Sequence, residues 1–200
     1  MNTELLKHEM AETIRRYHYK GWSPATSTNY SFKDDENQIW VSRSGVDKSI
    51  FSADDFIQID AFGVPQGKYQ DIKPSAETMI HVVLFRLFPE CKVILHSHGP
   101  YPVLLSTKHK SYLKFEGYEV QKGFDGVTTH ESEVLIPIFD NSQDMAYFEY
   151  ELEYRKNELN NHAFVIRKHG TYAWGKSLFE AKRHLETLDY LAECEFLLNK

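Results

Sequence analysis

Apolar positions change period along the chain, and each change marks an element. Between residues 3 and 20, Leu6, Met10, Ile14 and Tyr17 form one stripe. That spacing predicts an amphipathic helix capped by Thr3 and followed by a left-handed turn at Gly21. The hydroxyl-rich segment from Trp22 to Asn29 has no apolar period and reads as a loop. Tyr30–Lys33 and Ile39–Ser42 read as a hairpin around the polar turn Asp34-Asp35-Glu36-Asn37. Ser44 to Lys48 is a second small polar loop, Phe56–Asp60 a strand, and Gly63–Tyr69 a turn-rich connection. From Ser75 the period becomes helical, with Ala76, Met79, Ile80, Val83, Leu84 and Leu87 facing a core and Pro89 stopping the run.

The second half follows the same logic. Val93 to Leu95 begins a buried strand that continues through His96-Ser97-His98 and stops at Gly99-Pro100. Leu104–Ser106 closes a short helix, and Phe115–Phe124 carries no clear period. Val134–Phe139 reads as a strand, with Pro137 marking an edge or a strand end. Gln143–Leu159 reads as a polar helix, His162–Lys168 as a strand that Thr171–Trp174 extends or pairs with. Leu178, Ala181, Leu185, Leu188 and Ala192 stripe a closing helix. Helices and strands interleave, while the early hairpin rules out an all-parallel sheet. The expected fold is therefore three-layer α/β/α around a central mixed, mostly antiparallel sheet, in one domain spanning 1–200.

Composition narrows the function classes. The 200 residues are 42% hydrophobic and 26% charged, as expected of a folded domain with a real core. A net charge of −6 argues against nucleic acid or an anionic membrane as partner, yet leaves room for a local basic pocket. Two cysteines, Cys91 and Cys194, are too few for a disulfide framework, and no signal peptide is evident. A reducing cytoplasm is the expected compartment.

The chemistry concentrates at His96-Ser97-His98. Two histidines at i and i+2 in a strand leave the same face of a sheet, at the strand end where α/β sheets place ligands. Imidazole suits zinc, and a catalytic zinc has three protein ligands, so a third is expected elsewhere. His169, again ending an apolar run before a glycine, is the best candidate. The plainer alternative is a pair of solvated strand-end residues. Thr26-Ser27-Thr28-Asn29, Ser44-Gly45 and Pro74-Ser75 each join a hydroxyl to accessible amides, and Ser75 stands at an expected helix start. Together they suit a phosphate, with Lys48 supplying charge; singly, each reads equally as a turn. Glu77 and Glu119 are candidate proton carriers, and spacing does not choose between them. The remaining histidines, His81 among them, share no ligand-like spacing and read as surface or packing residues. Dinucleotide, P-loop, nucleophile-elbow and His-Glu-X-X-His signatures are all missing.

In order along nearly the whole chain, these stretches resemble the class II aldolase and adducin family. The resemblance implies zinc on His96, His98 and His169, and a substrate phosphate held by Asn29, Ser44, Gly45 and Ser75. Two further stretches, Phe115 to Gly123 and Val165 to Gly175, resemble a branch that dehydrates 5-methylthioribulose 1-phosphate in methionine salvage. In that branch the acid/base is the glutamate corresponding to Glu119. Glu77 matches the base of the aldolases, which keeps a sugar-phosphate aldolase or epimerase as the alternative, and a non-catalytic adducin-like module stands behind both. The resemblance also implies a homotetramer with its site near a subunit boundary. One departure is Thr28, where the family's loop usually carries glycine.

Overall fold

A computed structural model describes residues 2–199. In chain order the elements are α1 (Thr3–Tyr19), β1 (Tyr30–Lys33), β2 (Ile39–Ser42), β3 (Phe56–Ile59), α2 (Thr78–Leu87), β4 (Val93–Ser97) and α3 (Pro100–Lys108). Then come β5 (Tyr112–Phe115), β6 (Val134–Phe139), α4 (Met145–Tyr154), β7 (Ala163–Ile166), β8 (Gly170–Gly175) and α5 (Leu178–Leu198). The strands make one sheet ordered β3-β2-β1-β4-β8-β7-β6-β5. Every neighbouring pair is antiparallel except β6 with β7. This is the mixed, mostly antiparallel sheet that the interleaved pattern predicts.

Alternation along the strands divides the core between the two faces. Val93, Leu95, Val165 and Ala173 pack with Met10, Ile14, Leu105, Leu185 and Leu188 of α1, α3 and α5. Ile94, Phe164, Tyr172 and Trp174 pack with Ile80, Leu84, Phe148 and Leu152 of α2 and α4. Each fully buried leucine in these layers contributes about 1.5–3 kcal/mol. The period of two then puts His96 on the face of Ile94, under α2. That placement decides which carboxylate meets the histidines.

Several local expectations are corrected. Asn2, not Thr3, caps α1 by accepting from the Glu4 N–H, while Thr3 donates to Asp34. The helix expected from Ser75 starts at Thr78 with Glu77 at its N-cap, so Ser75 lies in the turn before it. Pro137 sits inside β6, opposite Tyr112, and parallel pairing with β7 begins one residue later at Ile138. Its missing N–H thus costs no ladder bond with β5, whose hydrogen bond comes from Ile138 N to Ser111 O. The long polar helix is limited to α4, followed by a 3₁₀ turn at Lys156–Glu158, and β7 ends at Ile166 rather than Lys168. The segment without a period resolves into the end of β5 and a 3₁₀ turn at Glu119–Gly123. Both cysteines are free, and no helix among the described residues is long and apolar enough to cross a membrane.

Candidate active site

β4 and β8 are neighbours, with His96 opposite Tyr172 and Ser97 opposite Thr171. The His96 ring lies flat on Tyr172, centroids 4.1 Å apart, and is fully buried. Its Nδ1 is 3.0 Å from the Thr171 carbonyl oxygen, which only accepts, so Nδ1 carries the proton and Nε2 a lone pair. That lone pair faces His98 Nε2 at 2.9 Å. His169 belongs to the tight turn between β7 and β8, where its N–H bonds Ile166 O at 3.1 Å. Ligand atoms of His96, His98 and His169 all lie within 4.8 Å of one another. The expected triad is assembled.

Glu77 joins it, because α2 covers the His96 face and begins just after this residue. Its Oε1 is 2.9 Å from His169 Nε2 and its Oε2 3.5 Å from His96 Nε2. Burial pushes this carboxyl up, but the hydrogen bond from His169, the nearby imidazoles and Asn29 outweigh it and hold the group well below the usual carboxylate range. Burial lowers His96 well below its ordinary value and brings His98 down to about 4, with Glu77 opposing both shifts. Both shifts favour the neutral imidazole, the form that binds a metal.

Beside the triad lies a cleft of about 240 Å³ whose lining includes Asn29, Ser44, Gly45, Ser75 and His98. The three hydroxyl-bearing loops thus meet as expected. Thr28 has φ +72°, a region that favours glycine, and its hydroxyl is held by Ser23 and Tyr30 at 3.0 Å each. This accounts for the family's glycine at that position. Lys48 is not in the lining. It is buried beneath the loops, donating to the carbonyls of Thr26 and Val46, and burial pushes it down to about 8. The cation that lines the cleft is Arg43, paired with Asp55 at 2.7 Å. A larger cavity of about 430 Å³, lined by Phe88, His162 and Trp174, sits at the other end of β8 and away from these groups.

Glu119 stands apart. It lies on the 3₁₀ turn with its side chain 71% exposed, paired to Lys122 and 3.7 Å from His130. Within one chain it is not brought to the triad.

Residues 8–196 match the class II aldolase and adducin N-terminal domain. The chain belongs to the class II aldolase and adducin family. It is also similar to proteins named methylthioribulose-1-phosphate dehydratase. That of a Picosynechococcus species is 48% identical over 197 residues, covering 98% of this chain and 93% of the relative. That of Xanthomonas campestris is 39% identical over 199 residues, covering 96% and 91%. Among solved structures, YgbL from Escherichia coli superposes with a TM-score of 0.83 at 21% identity, covering 99% of this chain and 91% of that one. L-fuculose-1-phosphate aldolase from Thermus thermophilus gives 0.75 at 20% identity, covering 94% and 92%. These two likenesses show the fold.

Class II aldolases are generally metal-dependent, and the donor set here fits a metal. The Nε2 atoms of His96, His98 and His169 converge beside the Glu77 carboxylate. A divalent cation satisfies that arrangement, and Thr171 O behind His96 and Asn141 Oδ1, 3.2 Å from His169 Nδ1, fix the rings from outside. Neither His81 nor Tyr172 stands out in the sequence as a site residue. His81 interrupts an apolar stripe four residues after Glu77, a spacing that puts both on one side of α2. Tyr172 was readable only once the β4–β8 register was known.

Proposed function

We propose that this family member is a zinc-dependent hydro-lyase, removing water from 5-methylthioribulose 1-phosphate to give 2,3-diketo-5-methylthiopentyl 1-phosphate. The observation that carries this reading is 48% identity, over nearly the whole chain, to a relative with that name, combined with an intact histidine triad. His96, His98 and His169 would hold the metal, which supplies Lewis acidity for negative charge developing on substrate oxygens. The loops of Asn29, Ser44, Gly45 and Ser75 hold the phosphate and set the register of the carbon chain, with Lys48 tying two of those loops together from below. The substrate gives up its C3 proton, leaving an enediolate, and its C4 hydroxyl, together one water. Glu119 protonates the departing hydroxyl, because hydroxide leaves poorly without a proton, and the resulting enol becomes the diketone. Glu119 is exposed and pairs with Lys122 and His130, not with its own triad, so this role draws on a neighbouring copy, in a homotetramer with the site at a subunit boundary. The cytoplasm is the compartment that suits such an enzyme of methionine salvage.

A second reading has its own observation. Glu77 touches the triad within the same chain, as the base of a sugar-phosphate aldolase or epimerase would. Product analysis separates the two: dehydration yields a single dicarbonyl, retro-aldol cleavage two fragments. The zinc-loaded protein should convert 5-methylthioribulose 1-phosphate to the dicarbonyl alone; formation of two carbonyl fragments would transfer the assignment to Glu77.

A further inference from the structure

A buried chain of hydrogen bonds runs from β1 to the carboxylate beside the triad, and its ends determine its direction. Glu77 Oε2 is a carboxylate oxygen, so the Asn29 atom 2.6 Å away is the amide nitrogen. The other end of that amide is Oδ1, an acceptor, and His81 Nε2 donates to it. With its proton on Nε2, His81 offers a lone pair at Nδ1, to which Ser31 Oγ donates over 2.6 Å. Tyr172 donates to Glu77 Oε2 as well, at 2.9 Å. Every hydrogen in the chain points toward Glu77. Ser31 and His81 are fully buried and Asn29 nearly so, so water cannot replace a lost donor. The second hydrogen of the Asn29 amide goes to Ser75 Oγ at 3.1 Å, and that oxygen also accepts the Glu77 N–H at 3.3 Å. Ser75 keeps its own hydrogen for an anion in the cleft it lines.

We propose that His81 is a positioning residue that locks the Asn29 amide, and so ties the anion cradle at Ser75 to the orientation of Glu77. It acts through Asn29 rather than on the substrate. An amide free to flip would set Oδ1 against the carboxylate, acceptor facing acceptor, and displace Glu77 from His169. A phosphate that draws on Ser75 is felt at Glu77 through the shared amide. This inference rests on the reading of the cleft as a metal and carboxylate centre with an anion cradle, and not on which phosphorylated substrate enters it.

The test compares zinc-loaded wild type with His81→Leu, which fills the space without a donor, and His81→Gln, whose amide restores both a donor and an acceptor. On 5-methylthioribulose 1-phosphate, His81→Leu should lower kcat about tenfold or more and raise KM at least about threefold, with zinc content unchanged. His81→Gln should recover most of both. A merely structural role would reduce the folded fraction, and with it kcat, while leaving KM where it was. Unchanged kinetics in His81→Leu, or equal losses in two folded, zinc-loaded variants, overturn the proposal. Nitrogen-15 NMR of histidine-labelled wild type reads the tautomer without substrate. A proton on His81 Nε2 whose resonance moves in Glu77→Gln supports the lock, and a proton on Nδ1 refutes it. Should the wild type ignore the substrate, the functional reading fails, while the tautomer still decides the role of His81.

Discussion

A Cβ built on Gly170 lands 2.4 Å from the Ser97 carbonyl oxygen, 2.7 Å from a His98 ring carbon and 2.8 Å from one of His96. The glycine after His169 is thus required by the close approach of β8 to His96 in β4 and His98 just beyond it, two of the proposed metal ligands. Gly170→Ala should weaken zinc binding at least about tenfold in a chelator competition, since it moves the ligands themselves. Unaltered affinity would mean the strand end relaxes freely. The buried histidines also impose a pH dependence. Burial takes His81 and His98 from the ordinary 6.5 down to about 4, so between those values the unfolded chain binds protons the folded chain refuses. Their contribution to stability is complete above about 6.5 and declines as pH falls toward 4. Chelator-treated protein should therefore lose Tm steadily from pH 7 to 5; a level Tm across that range contradicts the buried neutral assignment.

At the scale of elements, the β7–β8 turn is a bracket for His169, and Arg167 fastens it. Its guanidinium donates to the carbonyls of Ser106 and His109 near the end of α3 and pairs with Asp140 at 2.8 Å. Arg167→Ala should cost zinc affinity about tenfold and lower Tm, and Arg167→Lys should not restore it, because one ammonium cannot span the fork. Full rescue by lysine would reduce Arg167 to a point charge. Such elements were legible in the chain to differing degrees. Elements with strong periods, such as β1, β2 and α1, match their expected spans closely, and α5 carries the expected stripe from Leu178 to Ala192 before running on to Leu198, because alternation and 3.6-residue stripes report burial directly. The β5 strand was invisible, since Tyr112–Phe115 pairs only with β6 and its period is short. His96, His98 and His169 were legible because residue type and strand-end position coincide. The link from Asn29 to Glu77 and His81 was not, because those contacts join residues 48 and 52 positions apart.

For the whole molecule, the arrangement of Glu119 is decisive. Its exposure and its surface partners leave it without a role in its own triad, so the dehydratase reading needs contact between copies. Two inactive variants, Glu119→Gln and His169→Ala, should therefore regain activity when unfolded together and reassembled, because some sites then combine an intact triad with an intact Glu119. Absence of any recovery in a confirmed mixed oligomer would confine catalysis to a single chain and favour Glu77. The most direct measurement remains a coupled assay on 5-methylthioribulose 1-phosphate, with wild type beside Glu119→Gln and zinc quantified in both. The dehydratase account predicts turnover to the dicarbonyl by wild type and loss of most of the rate in the zinc-retaining variant. A zinc-loaded wild type that leaves this substrate untouched would contradict it.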